Sequence, residues 1–353
     1  MIAKLSLVSV PALRRILVIR LSSLGDVLLT TPVLRLIQQH CPEAQIHFVV
    51  KALYADLIRA HPCVDRVVCV HEKQSLSELI RSLRQTQYDL VLDLHRTLRS
   101  RMLYYGLWAR HKLAYNKHTV RRALLVSLGW NTLRAMTPVP ELYAVPLRRL
   151  GMRQPLPALE MHLAPGSIEA MHAYLEGVFP PGYQRPLLAL APGARWPTKR
   201  WSVERFAAVA EALAAAQGAG VVVLGGAEDT SLAAELCQRL SVPVLDSTGK
   251  LSLMQTAALL QRCRLLLSND SGLMHMATAL NVPVVAIFGP TVQEFGFYPF
   301  QARAQVVSAV LACRPCSTKG SVRCPRGHHH CMQQVTVPQV LSAAQHLWDR
   351  QEV

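Results

Sequence analysis

The stretch Leu265-Leu266-Leu267-Ser268-Asn269-Asp270-Ser271-Gly272-Leu273-Met274-His275-Met276-Ala277 decides the fold. It opens as an apolar strand, stops at a polar hinge, and restarts as a helix at Ser271-Gly272. A helix N-terminus carries unpaired N–H groups and a partial positive charge, so a junction of this kind attracts phosphate. Ser271 and His275 lie four residues apart, one helical turn, and can face the same ligand. Asp270 falls where the strand ends, the usual place for ligand contacts in an open α/β sheet. The same residues also describe an N-capped structural helix with a surface histidine.

Strand–helix alternation extends from this junction in both directions. In the first half, strands are expected at Ile16–Ile19, Ile46–Val50, Arg66–Val70 and Tyr88–Leu94. Helices are expected at Val27–His40, Tyr54–Ala60, Leu76–Gln85 and Leu98–Trp108, with a basic helix at Val120–Trp130. Prolines from Pro138 to Pro165 break the middle, and Pro180-Pro181-Gly182 reads as a linker. The alternation restarts with strands Leu187–Ala191, Val221–Leu224, Val242–Leu245 and Arg264–Ser268, and Val284–Phe288 is expected to close the sheet. The intervening helices are Val203–Gln217, Asp229–Leu240 and Leu253–Arg262, and the last helix is Gln339–Trp348. Such alternation implies right-handed βαβ units and parallel sheets. The expected fold is therefore α/β: two doubly wound, Rossmann-like domains, 1–180 and 181–353, with the last helix a candidate to pack back on the first.

The chain has 353 residues, 51% of them hydrophobic and only 17% charged, which supports real cores and argues against long disorder. No apolar run reaches the length of a membrane span. The N-terminal segment has a short apolar stretch interrupted by Pro11 and no convincing cleavage site, so a cytoplasmic protein is expected. Nine cysteines, an odd number, five of them scattered through apolar segments, point to reduced thiols. Net charge is +16, unevenly spread: residues 1–180 hold 23 Lys/Arg against 12 Asp/Glu. Between Arg96 and Arg153 there are 12 basic residues and one acid, Glu141. That ratio implies an anionic partner for the first half: nucleic acid, acidic lipid or a phosphorylated glycan.

Several loops after strands carry candidate chemistry. Asp26 follows the first strand in Ser22-Ser23-Leu24-Gly25-Asp26, where a carboxylate either stabilises a helix N-terminus or serves as a general base for an alcohol. The loop Ala191-Pro192-Gly193-Ala194-Arg195-Trp196-Pro197-Thr198-Lys199-Arg200-Trp201 supplies a glycine for close backbone approach, a hydroxyl and cations, which a diphosphate needs. Gly225-Gly226-Ala227-Glu228 is a further strand-end turn, and Glu228 suits either a ribose or a first helical turn. No Gly-x-Gly-x-x-Gly follows the first strand and no Walker A lysine is present, which counts against a dehydrogenase or P-loop enzyme.

Together these pieces resemble the bacterial ADP-heptose:lipopolysaccharide heptosyltransferases of glycosyltransferase family 9. The resemblance runs from Ile16 to the last helix. It is carried by Ile19-Arg20-Leu21-Ser22-Ser23-Leu24-Gly25-Asp26 with Thr31-Pro32, by Pro192 to Trp201, by Asn269 to His275, and by Phe288-Gly289-Pro290-Thr291. It implies a GT-B fold with an interdomain active site, and inverting sugar transfer with no catalytic metal or other cofactor. By motif, Asp26 corresponds to the general base and Lys199 to the cation that stabilises the leaving diphosphate. Ser271, Gly272 and His275 correspond to diphosphate ligands, Thr198 and Asp270 to further donor contacts, and Glu228 to a nucleoside contact.

One stretch departs from the family pattern. After Asp93, relatives often read Leu-Gln-Gly before a basic-Ser pair, whereas this chain has Leu94-His95-Arg96 and then Arg99-Ser100. Ser22, Arg96, Arg99, Arg101, Lys117 and Arg121 are the residues expected to meet the acceptor. The basic run fits an anionic lipid-linked glycan at the cytoplasmic face of the inner membrane, with peripheral contact through charge. The loop Cys313-x-x-Cys316…Cys324…Cys331 has ligand types for structural Zn²⁺, although its last spacings are loose; the alternative is a reduced surface or dimer-contact loop. Competing readings are a GT-B enzyme using another nucleotide sugar, transferase or epimerase, and a basic nucleic-acid-binding protein. The lack of interleaved aromatics and of a familiar RNA module counts against a nucleic-acid partner.

Overall fold

The computed structural model describes residues 12–133, 136–176 and 185–350. The Pro180-Pro181-Gly182 linker and most of the N-terminal segment lie outside the described residues. Two separate parallel sheets are present. The first comprises β1 (Arg15–Ile19), β2 (Gln45–Lys51), β3 (Arg66–Val70), β4 (Tyr88–Asp93) and β5 (Ala109–Ala114), in the order β3-β2-β1-β4-β5. The second comprises β6 (Leu187–Ala191), β7 (Gly220–Val223), β8 (Val244–Asp246), β9 (Cys263–Asn269), β10 (Val284–Ile287) and β11 (Ala304–Val307), in the order β11-β10-β9-β6-β7-β8. The doubly wound α/β class read from the alternation is what the structure has.

The central strands are apolar throughout because both faces of a parallel sheet are covered. Ile16 to Ile19 and Leu187 to Ala191 are buried. In each sheet the strand order reverses once, between β1 and β4 and between β6 and β9. Loops diverge there at the carboxyl edge and leave a crevice, the usual ligand position in this architecture.

The differences from expectation lie at edges and breaks. β5 has the sequence Ala-Arg-His-Lys-Leu-Ala, poor in β-branched residues, and the helix before it stops at Gly106 rather than Trp108. A basic edge strand of this kind discourages further strand pairing. β11 pairs with β10, so Val284–Ile287 does not close the second sheet. The helix expected over Val27–His40 is two helices, Leu24–Leu28 and Thr31–His40, with Pro32 in the first turn of the second. Asp26 therefore sits in a short helix of its own.

Contacts divide the chain into Met1–Lys117 with Thr137–His162, and His118–Met136 with Leu163–Val353, rather than near residue 180. In the second unit, the helix Thr119–Leu128 is anchored by buried Arg122, whose Nη2 donates to the Phe295 carbonyl at 3.0 Å, and by packing of Leu125 and Leu133 on Phe295. The last helix, Val337–Asp349, also stays with this unit, placing Val340, Leu347 and Trp348 in its core. In the first unit, Glu160 anchors the returning segment. Its carboxylate takes Arg35 Nε at 2.5 Å and Nη2 at 2.9 Å, and His61 Nε2 lies 2.9 Å away.

His61 is fully enclosed, and its Nδ1 accepts from the Cys63 N–H, which leaves the ring proton on Nε2, toward Glu160. Burial lowers the His61 pKa from 6.5 to about 4, against the pull of Glu160. Between these values the unfolded chain binds a proton that the folded chain refuses, so stability falls as pH drops from 6.5 toward 4. At about 1.4 kcal/mol per pKa unit, the ceiling is about 3 kcal/mol. His61→Gln should flatten that part of the melting-temperature profile between pH 7 and pH 4.5. An unchanged slope in the variant would assign the acid sensitivity elsewhere.

Candidate active site

In the second unit, the loops after β6, β7, β9 and β10 are joined by buried polar contacts. Asn269, wholly buried at the end of β9, accepts from the Trp201 N–H through Oδ1 at 3.0 Å and donates to the Pro192 carbonyl through Nδ2 at 2.7 Å. Lys199 Nζ stands 2.5 Å from Asp270 Oδ2, and the Thr291 hydroxyl donates to the same oxygen at 2.7 Å. Arg200 Nη2 lies 3.7 Å from Asp229 Oδ1, tying the β6 loop to the turn after β7. Ser271 caps the eight-residue helix Gly272–Ala279, and its hydroxyl is 3.1 Å from that of Ser268. His275 is buried in that helix, one turn on.

The expected donor residues thus gather at adjacent strand ends, with different individual surroundings. Thr198 is buried, and its hydroxyl donates to the Ser321 carbonyl at 2.8 Å and accepts from the Ser321 N–H at 2.9 Å. It holds a loop as placed, and reaches a ligand only by releasing Ser321. Asp270 orients Lys199. Glu228 is exposed on the turn after β7, whereas its neighbour Asp229 is buried, and burial raises the Asp229 pKa above the usual aspartate value. A Cβ on Gly193 would overlap the Asp229 carboxylate, which accounts for glycine there.

Sequence reasoning missed Asn269 as a tie, Thr291 as a carboxylate partner, and the role of the cysteine-rich loop. That loop buttresses the Lys199 segment: besides Ser321, His329 Nε2 lies 2.8 Å from the Thr198 carbonyl, and Gly320 abuts Trp196. Burial, with neighbouring thiols, pushes Cys331 up to about 11 and raises Cys316. Among the described residues, the set of three or more metal-ligand groups within 4.8 Å of one another is His61, Glu160 and His162, not the four cysteines. Arg35 already occupies both oxygens of that Glu160, which leaves little room for a cation.

In the first unit, one buried guanidinium organises the strand ends. Arg20 Nη2 is 2.7 Å from Asp26 Oδ1, its Nη1 donates to the Leu94 carbonyl at 2.5 Å, and its Nε donates to the Ser22 carbonyl at 2.9 Å. The Ser23 hydroxyl and N–H donate to Asp26 Oδ2 at 2.9 and 3.2 Å. Burial opposes the Arg20 charge, but Asp26 and the phenolic oxygens of Tyr143 and Tyr115 outweigh it and raise its pKa. Asp93, fully buried, accepts from the N–H groups of His95 and Arg96 and from the Ser100 hydroxyl, and fixes the loop after β4 with Arg96 at φ +56°.

His95 is the notable residue of that loop. Burial, then Arg20, hold its pKa at about 3, so the ring is neutral, and its buried Nδ1 has no hydrogen-bond partner among the described residues. The substitution of His-Arg for Gln-Gly was the signal that pointed to it. Of the expected acceptor residues, Ser22 and Arg96 share this edge. Arg99 is spent on the carbonyls of His71 and Gln74, Arg101 and Lys117 are exposed, and Arg121 belongs to the helix Thr119–Leu128 of the other unit.

Two doubly wound parallel domains, one with a cation among its strand-end loops and the other with a carboxylate, have the architecture of GT-B enzymes. The family model for glycosyltransferase family 9 (heptosyltransferase) matches residues 76–325, and the chain belongs to that family. The chain is 27% identical to lipopolysaccharide heptosyltransferase 2 of Escherichia coli K12, over 93% of this chain and 96% of that protein. It is 30% identical to lipopolysaccharide heptosyltransferase 1 of Pseudomonas aeruginosa, over 86% of each. The solved structure of E. coli ADP-heptose LPS heptosyltransferase II superimposes with a TM-score of 0.77 at 25% identity, covering 96% of this chain and all of that one.

Gly193→Ala should lower stability by about 1–3 kcal/mol in denaturant unfolding, because the added methyl must displace a buried carboxylate. Combined with Asp229→Ala, it should cost no more than Asp229→Ala alone. A full additive loss would place the clash elsewhere.

Proposed function

We propose that this chain transfers heptose from ADP-heptose to the inner core of lipopolysaccharide, with inversion at the anomeric carbon and without a catalytic metal. The observation that carries the reading is the ion pair of Lys199 with Asp270 beside the Ser271-Gly272 helix start, at the reversal of strand order. The relatives supply the sugar, the nucleotide and the glycan; the residues supply the mechanism.

On this reading, an acceptor hydroxyl attacks the anomeric carbon on the face opposite the nucleotide. Asp26, oriented by Arg20 and Ser23, takes the hydroxyl proton. The bond from the anomeric carbon to the diphosphate oxygen breaks, and its electron pair leaves with ADP through an oxocarbenium-like transition state. Lys199 and the N–H groups at Ser271 and Gly272 meet that growing negative charge, with His275 one turn further on. Thr198 holds the Lys199 loop, and Glu228 meets the nucleoside. Neutral His95 gives the acceptor a hydrogen-bonding group, and Ser22, Arg96, Arg101, Lys117 and Arg121 face its anionic groups. Contact with the inner membrane at its cytoplasmic face is peripheral.

With a truncated lipid-linked lipopolysaccharide core as acceptor, the chain should release ADP from ADP-heptose, and chelator should leave the rate unchanged. Asp26→Ala should lower kcat by about 10²–10⁴-fold while ADP affinity stays near that of the parent. Lys199→Ala should weaken ADP binding and lower kcat by about 10²-fold or more. Transfer from a UDP-sugar and not from ADP-heptose would overturn the donor assignment. Normal turnover by the Asp26 variant would overturn the base.

A further inference from the structure

We propose that the helix Leu98–Gly106, together with Trp108, is a docking face that seats the first unit on an anionic lipid bilayer. The inference deepens the lipid-linked acceptor reading above and rests on it for the identity of the membrane. The residues themselves point to an interface. Leu98 is 78% exposed, Met102 50%, Tyr105 70% and Trp108 84%. Positions 98, 102 and 105 fall on one side of the helix, opposite buried Ser100 and Leu103. The helix is thus apolar on two sides and buries one of them.

What surrounds the exposed stripe selects the occupant. Arg101 lies beside it on the same helix and Arg110 two residues beyond Trp108, both exposed. Lys112 Nζ lies 5.3 Å from the Tyr104 ring centroid and 6.0 Å from that of Tyr105. No acidic residue occurs between Asp93 and Glu141. A second copy of this chain on the same face would bring these cations against their like, whereas an anionic headgroup layer neutralises them. Tyr and Trp with an aliphatic stripe and flanking arginines are the composition of a surface that lies in the headgroup region. A face this small binds weakly through apolar area alone, so both signals are needed. Among the described residues no helix is long and apolar enough to cross a membrane.

Position gives the face its use. The stripe begins one residue after Thr97, which caps the helix, and so starts beside Asp93, His95 and Arg96 at the carboxyl edge of the sheet. Docking this face brings the acceptor loop to the headgroups, where a lipid-anchored sugar stands.

The test is flotation of the full chain with phosphatidylglycerol-containing vesicles and with phosphatidylcholine vesicles, with no donor or acceptor present. The chain should float with the anionic vesicles, less so at high salt, and the Met102→Asp/Trp108→Ser double variant should bind at least about tenfold more weakly. ADP release on a soluble, deacylated acceptor should be unchanged in that variant. If the double variant melts early, quenching of Trp108 by brominated phosphatidylglycerol, read as parent minus Trp108→Phe, replaces it and should be strong. Flotation equal to the parent's, no quenching, or failure of the parent to float would overturn the proposal. So would a lipid-free dimer that the double variant converts to monomer, which would assign the face to a second copy. Flotation with no turnover of ADP-heptose would overturn the sugar assignment and leave the docking face standing.

Discussion

The second unit depends on the ion pair between Lys199 and Asp270. The two side chains are 13% and 9% exposed and 2.5 Å apart. A pair so enclosed adds little net stability, because desolvation of both charges offsets most of the attraction; removing either partner is costly, because the other is left buried and alone. The pair therefore constrains more than it stabilises. It requires the β6 loop, the end of β9 and, through Thr291, the loop after β10 to keep one arrangement. Asn269 enforces the same arrangement from beneath, with hydrogen bonds to Pro192 and Trp201. On the proposed reading, a cation fixed before the diphosphate arrives needs no reorganisation when charge builds on the leaving oxygen.

The first unit meets the same problem, again with a cation at its centre. Arg20 is the buried charge, and its guanidinium edges are shared among Asp26, the Leu94 carbonyl and the Ser22 carbonyl. The fork of an arginine suits this because it offers several donors in a fixed plane. In both sheets the buried charge stands where strand order reverses, between β1 and β4 and between β6 and β9. Diverging loops there have no regular backbone partner, so side chains must satisfy them. The polar groups that tie the loops are the same ones that fix the candidate catalytic atoms. Asp26 and Lys199 are rigid for the reason that the loops are ordered.

How far the sequence disclosed this follows from the range of each interaction. Leu187–Ala191 and Val203–Gln217 were legible to the residue, because burial on both faces or a regular helical period is written locally, and the edge strand Arg66–Val70 was legible through its β-branched valines. β5 and β11 were not, since an edge strand needs no apolar run. The break at Leu29-Thr30 was hidden by apolar residues that continue the helical pattern. The motif residues could be placed at strand ends, but their partners could not. Nothing in the spacing of Lys199 and Asp270, 71 apart, foretells a contact, and nothing in the cysteine-rich loop foretells that Ser321 would hold Thr198. The assignment of His118–Met136 to the second unit rests on Arg122 and Phe295, 173 residues apart.

The surface charge follows a different logic from the buried charge. Arg20, Arg122 and Lys199 are each enclosed, with a defined acceptor. Arg101, Arg110, Lys117 and Arg121 are exposed, and an excess of exposed cations with no acids among them raises the repulsion within the folded chain. The same segment leaves Trp108 and Tyr105 in water, which the hydrophobic effect opposes. Two unfavourable features on adjacent residues of one helix and strand are hard to attribute to packing, because neither contributes to the core beneath them. A single surface relieves both: an anionic interface neutralises the cations and covers the rings. On the proposed docking it does so beside Arg96 and His95, and the cost in water becomes orientation at the membrane.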